Sequence, residues 1–152
     1  IRVGRNPVPD VYNSTNAPYE FGKANRLLDG DALTLIGTGE TVWHCLEAGK
    51  QLAAMGIKAR VLDMHTIIPL DVEAIVNAAR ETGRLLTVEE HSIFGGLGAA
   101  VAEVVVQQAP VPMKLVGIPD ENAATGSSTQ LFRHYGLDAE SLVKTVVDWI
   151  NL

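Results

Sequence analysis

The sequence predicts an α/β fold: a three-layer α/β/α sandwich of about five mostly parallel strands, with one antiparallel edge strand. Two observations carry this. From residue 32 onward, short runs rich in Val, Leu and Ile alternate with longer stretches of helical periodicity, the pattern of a parallel sheet covered on both faces. Glycine or proline closes most segments, as expected where strand and helix hand over to each other. Right-handed crossovers follow as the expectation.

The elements are justified in chain order. Residues 1–3 read as the tail of a strand from a preceding domain. Residues 6–18 hold Pro7, Pro9 and Pro18 among Asn, Ser and Thr, so they read as an extended interdomain linker. The division expected is therefore 1–18 for the end of a preceding domain and its linker, and 19–152 for the domain proper. Residues 21–28 suit an edge strand. Asp29-Gly30 is a hairpin signal leading to a buried strand at 32–37, so the domain is expected to open with an antiparallel pair.

Residues 41–55 form a helix with Val42, Cys45, Leu46, Ala48, Leu52 and Met55 near one face, stopped by Gly56. Residues 58–64 give a strand. Asp71 is placed to cap a helix over 72–82 that Gly83 ends. Residues 84–89 give the next strand. Gly95 to Gly98 precedes an Ala/Val-rich helix reaching about Gln108, which Pro110 and Pro112 break. Residues 113–118 are a strand, followed by a polar loop and a short helix ending near Gly136. Asp138 caps a final helix to Asn151.

Composition narrows the function classes. The chain has 152 residues, with 12 Lys plus Arg against 18 Asp plus Glu, a net charge of −6. It has no basic run to neutralise a row of phosphates, so no nucleic-acid partner is expected. No apolar stretch reaches membrane-spanning length and no signal-peptide pattern is present. The single cysteine, Cys45, cannot close an internal disulfide, and a cytoplasmic location follows as the expectation. The four histidines, His44, His65, His91 and His134, fall on different elements at no ligand spacing, so no metal site is expected. Cys45 reads as a small buried apolar side chain and His44 as a surface or interface residue.

Two glycine-containing loops and one arginine pair invite chemistry. Gly37-Thr38-Gly39-Glu40 joins a strand to a helix, where some folds hold pyrophosphate. The third glycine of that fingerprint is replaced by Val42, and Glu40 opposes an anion. The second stretch runs Glu89-Glu90-His91 and on through Gly95, Gly96 and Gly98. Two carboxylates beside an imidazole can shuttle protons. Alternatively, strand periodicity sends Glu89 and Glu90 to opposite sides, and the glycines let the helix approach the sheet or a neighbouring subunit. These six residues are taken as packing or interface candidates. Arg2 and Arg5 stand together near the start. They can clamp a phosphate or pair with an acidic neighbour. Asp71 reads as a helix cap rather than an acid.

The stretches IRVGRNPVP, FGKANRLLDGDALTLIGTG, LAAMGIKARVLDMHTIIPLD, TGRLLTVEEHSIFGGLGAAVAE and VGIPDENAATG together resemble the C-terminal domain of transketolases, above all those split into two sections. The resemblance implies thiamine diphosphate with Mg²⁺ or Ca²⁺, bound by upstream domains. It implies transfer of a two-carbon ketol unit between sugar phosphates. It implies a homodimer or heterotetramer with the preceding thiamine-binding domains or subunit. This domain then has an assembly role and is inactive alone, with no catalytic, cofactor or metal residue of its own. The family's diphosphate motif is absent, since Asp29-Gly30-Asp31 is not it. By position in IRVGRNPVP, Arg5 takes the place of an arginine that binds the sugar phosphate. Two alternatives are carried: the same domain from a 2-oxoacid dehydrogenase β subunit, and a non-catalytic regulatory or interaction module. The latter rests on apolar helix faces at 98–109 and at Leu142, Val146, Trp149 and Ile150 that exceed the needs of one small core.

Overall fold

Residues 7–13 and 17–151 are described by the computed structural model. In chain order they form β1 (Asn25–Leu28), β2 (Leu33–Gly37), α1 (Thr41–Ala54), β3 (Ala59–Asp63), α2 (Val72–Thr82), β4 (Leu85–Ser92), α3 (Leu97–Gln108), β5 (Met113–Ile118), α4 (Ser128–His134) and α5 (Ala139–Ile150). The strands make one sheet of order β1-β3-β2-β4-β5. All pairings are parallel except β1 with β3.

The expected opening hairpin is not formed. β1 pairs with β3, with Asn25 opposite Asp63, and β3 lies between β1 and β2. The Asp29-Gly30 turn instead carries the chain across the start of β3. Asp31 and Ala32 amides both donate to the Lys58 carbonyl, at 3.1 Å each. A Cβ at Gly30 would sit 2.3 Å from that same oxygen, so close backbone approach, not a tight hairpin, is what the glycine serves. The edge strand is also shorter than the apolar pattern suggests, because the chain before Asn25 is held by side chains rather than by a ladder.

Each strand alternates between two cores. Leu33, Leu35, Val61, Leu86 and Val88 face α1, α4 and α5, meeting Cys45, Leu52, Phe132, Leu142 and Val146. Ile36, Leu62 and Leu85 face α2 and α3, meeting Ile75, Ala79, Leu97, Val101 and Val105. The period of two along β2 thus builds both outer layers of the sandwich. Cys45 is fully buried, and burial pushes its thiol well up. The last helix is not a spare apolar surface: Leu142 and Val146 are fully buried, and Trp149 and Ile150 pack against the same core.

Caps fix the helix starts. Asp71 accepts from the Ala74 amide and Asp138 from the Ser141 amide. Ser127 and Gln130 form a reciprocal capping box at α4. Gly83 closes α2 in the left-handed conformation, φ 67°.

Candidate functional site

The carboxyl ends of the parallel strands gather most of the polar side chains that the sequence singles out. The chain leaves β2 toward β3 through α1 and leaves β4 toward β5 through α3. The boundary between β2 and β4 is therefore the switch point where open α/β sheets place ligands. Here it is filled from within. The Thr41 hydroxyl accepts from the Thr38 amide at 3.1 Å and reaches the Val88 carbonyl of β4 at 2.8 Å. The Thr41 and Val42 amides are taken by the Thr38 and Gly39 carbonyls. A Cβ at Gly37 would lie 3.0 Å from Cys45 Sγ. The glycines of this loop thus serve a tight turn and a tight contact, and the Thr38, Thr41 and Val42 amides, which a diphosphate could otherwise use, are engaged.

The Glu89-Glu90-His91 segment is strand, not loop, because β4 runs to Ser92. Glu89 is 2% exposed and points to the start of α3, where its two oxygens accept from the Leu97 and Gly98 amides at 2.8 Å each. The N-cap residue is Gly96, which has no side chain to cap with; the carboxylate from the neighbouring strand takes that role and complements the helix dipole. His91 is exposed, and its Nδ1 donates to the Ser92 carbonyl at 3.0 Å. A Cβ at Gly96 would fall 1.9 Å from Glu89 Oε2, and one at Gly98 would fall 2.7 Å from Leu115 and 2.8 Å from Thr87 Oγ1. Gly95 takes φ 72°. At Gly96 the close approach is to a carboxylate, and at Gly98 it is of helix to sheet.

A second cluster has no local signature in the sequence. Residues ahead of β1 are fastened at the far end of β3. Tyr12 OH donates to Asp63 Oδ2 at 2.5 Å and accepts from Asn25 Nδ2 at 2.9 Å. Asn25 Nδ2 also donates to the Pro18 carbonyl at 2.8 Å. His65 Nε2 donates to the Glu20 carbonyl at 3.3 Å, and Tyr19 stacks on the His65 ring at 4.9 Å. Burial, then the bond to Asp63, pushes the Tyr12 hydroxyl up to about 12, with Asn25 opposing. Burial raises Asp63, against the Tyr12 hydrogen bond and nearby His65. Asp71, 6% exposed, accepts from the Ala24 amide at 2.8 Å as well as from Ala74. It is the cap the sequence predicts and also ties the residue before β1 to α2. The one hint of this cluster is a lone tyrosine within a proline-rich segment, and its partner Asp63 lies about fifty residues away.

His44 is no free surface residue. Its ring lies 4.9 Å from Phe132 and 4.8 Å from Trp43. Burial lowers its pKa, with Asp138 opposing. No group of three metal-ligating side chains is present among the described residues. Within them no helix is long and apolar enough to cross a membrane. Arg2 and Arg5, and the strand tail assigned to residues 1–3, lie outside the described residues.

Comparison with known proteins agrees with this architecture. A family model described as "Transketolase, C-terminal domain" matches residues 22–142. One of the subunits of an apulose-4-phosphate transketolase from Phocaeicola vulgatus is 55% identical over 99% of this chain and 48% of its own length. A putative transketolase C-terminal section from Methanocaldococcus jannaschii is 40% identical over 97% of this chain and 46% of its own. The chain therefore spans about half the length of these curated relatives. A solved structure of a split gene transketolase, described as an inactive beta4 tetramer, superposes with TM-score 0.88 at 41% identity, covering 98% of this chain and 48% of that one. The two-cored sheet, the family match and relatives that align along the whole chain all lead to one assignment: this chain belongs to the transketolase family, as its C-terminal domain.

Proposed function

We propose that this chain works as the C-terminal domain of a split transketolase. In that enzyme a two-carbon ketol unit passes between sugar phosphates. Thiamine diphosphate and Mg²⁺, bound by the preceding domains or partner subunit, supply the covalent chemistry. The observation that carries the reading is 55% identity, along nearly the whole chain, to one subunit of an apulose-4-phosphate transketolase. The same similarity favours the sugar-phosphate enzyme over a 2-oxoacid dehydrogenase β subunit and over a free-standing regulatory module.

The described residues do not fit the cofactor. Its diphosphate needs free amides or cations, and at the loop after β2 the Thr38, Thr41 and Val42 amides are engaged by Thr41, Thr38 and Gly39. Glu89 is committed to α3. No step of the reaction is therefore assigned to these side chains. The domain holds its neighbours in place, and residues 1–18 join it to the preceding domain. Glu90, His91 and Gly95 lie at the sheet end and are assigned to that contact. Arg5 is assigned to the substrate phosphate, which a guanidinium grips bidentately. The enzyme is a cytoplasmic homodimer or heterotetramer. The neighbour described as an inactive beta4 tetramer supports the need for a partner subunit, and isolated from it this chain is inactive.

The test is a ketol-transfer assay with thiamine diphosphate and Mg²⁺. Activity is expected from the full-length polypeptide mixed with its partner, and none from the 152-residue chain alone. Turnover by the chain alone, or none by the complete assembly, contradicts the proposal. In the active assembly, Arg5→Gln is expected to raise KM for phosphorylated substrates more than it lowers kcat.

A further inference from the structure

We infer that Tyr12 is a positioning residue for Arg5: pinned to Asp63 and Asn25, it fixes the chain that presents the phosphate-binding guanidinium. The inference rests on the proposed function above, which assigns Arg5 to the substrate phosphate. It goes beyond that reading in naming the residues that hold the arginine's chain in place.

Three observations converge. First, Tyr12 is the anchor of its segment. Among residues 7–13 and 17–21, every residue is exposed except Val11 and Tyr12. Within 7–13 it is the Tyr12 hydroxyl that hydrogen-bonds to the rest of the described residues, donating to Asp63 at 2.5 Å and accepting from Asn25 at 2.9 Å. Second, the mount is rigid. Asp63 is 7% exposed and ends β3, which lies between β1 and β2. It stands opposite Asn25 on one side and Gly37 on the other. Both partners of the hydroxyl are thus cross-strand neighbours in one register, and side chains on paired strands hold a position better than loop residues do. A buried phenol, carboxylate and amide add little stability over an apolar set of the same shape; what they add is a defined geometry. Third, Arg5 stands seven positions ahead of Tyr12, with Pro7 and Pro9 between. Seven residues span at most about 25 Å, and the prolines remove backbone freedom from that span. With Tyr12 pinned, the guanidinium is confined to a short, stiffened tether. With Tyr12 released, the chain gains freedom that must be lost again each time a phosphate binds.

The test is a double-variant cycle in the full-length polypeptide mixed with its partner subunit, thiamine diphosphate and Mg²⁺. KM is measured for a phosphorylated aldose acceptor and for the same aldose without its phosphate. Tyr12→Phe keeps the ring and removes the hydroxyl. It is expected to raise KM for the phosphorylated acceptor about three- to tenfold, with kcat and the KM of the unphosphorylated acceptor unchanged. Asp63→Asn retains a carbonyl oxygen for the hydroxyl and is expected to keep the original KM. Asp63→Leu retains none and is expected to behave as Tyr12→Phe. Added to Arg5→Gln, Tyr12→Phe is expected to change nothing further, because no guanidinium is left to position. A rise in KM that multiplies with that of Arg5→Gln overturns the proposal, as does an unchanged KM in Tyr12→Phe. An equal rise for both acceptors, or a fall in kcat alone, gives Tyr12 a general structural role and overturns it too. The failures are separable. An unaltered assembly without ketol transfer sinks the transketolase reading and the inference with it. An Arg5→Gln enzyme with unchanged KM sinks the arginine's assignment, again taking the inference along. A contrary Tyr12 result beside a responsive Arg5 sinks the positioning role alone.

Discussion

Both oxygens of Glu89 are engaged by amides at the start of α3, so replacing it strands two buried donors at once. Each unpaired buried amide costs roughly 1–3 kcal/mol. Glu89→Ala is therefore expected to destabilise by about 2–4 kcal/mol, seen as a lower midpoint in urea. Glu89→Gln should cost less, because one carbonyl oxygen is kept. If Glu89→Ala kept full stability but abolished ketol transfer in the assembled enzyme, Glu89 would be a chemical residue after all. His44 gives a pH signature. Burial holds its native pKa below the ordinary 6.5, so the unfolded state binds the extra proton first. Its contribution is complete above about pH 6.5 and is lost as pH falls through the lowered native value. The melting temperature should begin to drop as pH falls below about 7, and His44→Phe should flatten that drop. An equal drop in the variant would assign the acid sensitivity elsewhere.

At the scale of elements, two junctions decide whether the layers stay together. Asp71 joins the chain just before β1 to α2 through the Ala24 and Ala74 amides. Asp71→Ala is expected to cost about 2–3 kcal/mol, and hydrogen exchange should show the Ala24 amide losing protection together with the first turn of α2. Gly98 sets how closely α3 lies on the sheet. Gly98→Ala drives a methyl against Leu115 and Thr87, with a penalty of about 1–3 kcal/mol. Trimming the neighbour as Leu115→Ala should recover part of it, so the double variant is expected to be more stable than the sum of the singles predicts. Additive behaviour would show that the helix moves rather than the leucine.

The same junctions show what is legible in the sequence. The positions of the later strands, the Asp71 and Asp138 caps and the Gly83 stop follow from periodicity and local capping chemistry. The β1 pairing does not, because Asp29-Gly30 carries the same local signature whether the chain turns back or crosses a neighbouring strand. The role of Glu89 is hidden for a similar reason. Its partners lie eight and nine residues on, across a strand-to-helix loop, and the one clue is a helix start with glycine where a capping side chain belongs. The Tyr12–Asp63–Asn25 strap spans too much sequence for any local rule.

For the whole molecule, the proposed function leaves assembly to this chain and the cofactor to its neighbours. At the sheet's carboxyl end Thr41, Asp63, Asp71 and Glu89 are bound to neighbouring backbone, to helix starts or to the segment before β1. The most direct test is a thermal-shift measurement on the 152-residue chain with thiamine diphosphate and Mg²⁺. A ligand held at this domain, at about a hundred times its dissociation constant, would add about 2.7 kcal/mol of stability. An unchanged melting temperature is the predicted result. A clear stabilisation by the cofactor would place its binding on this chain and contradict the division of roles between the domains.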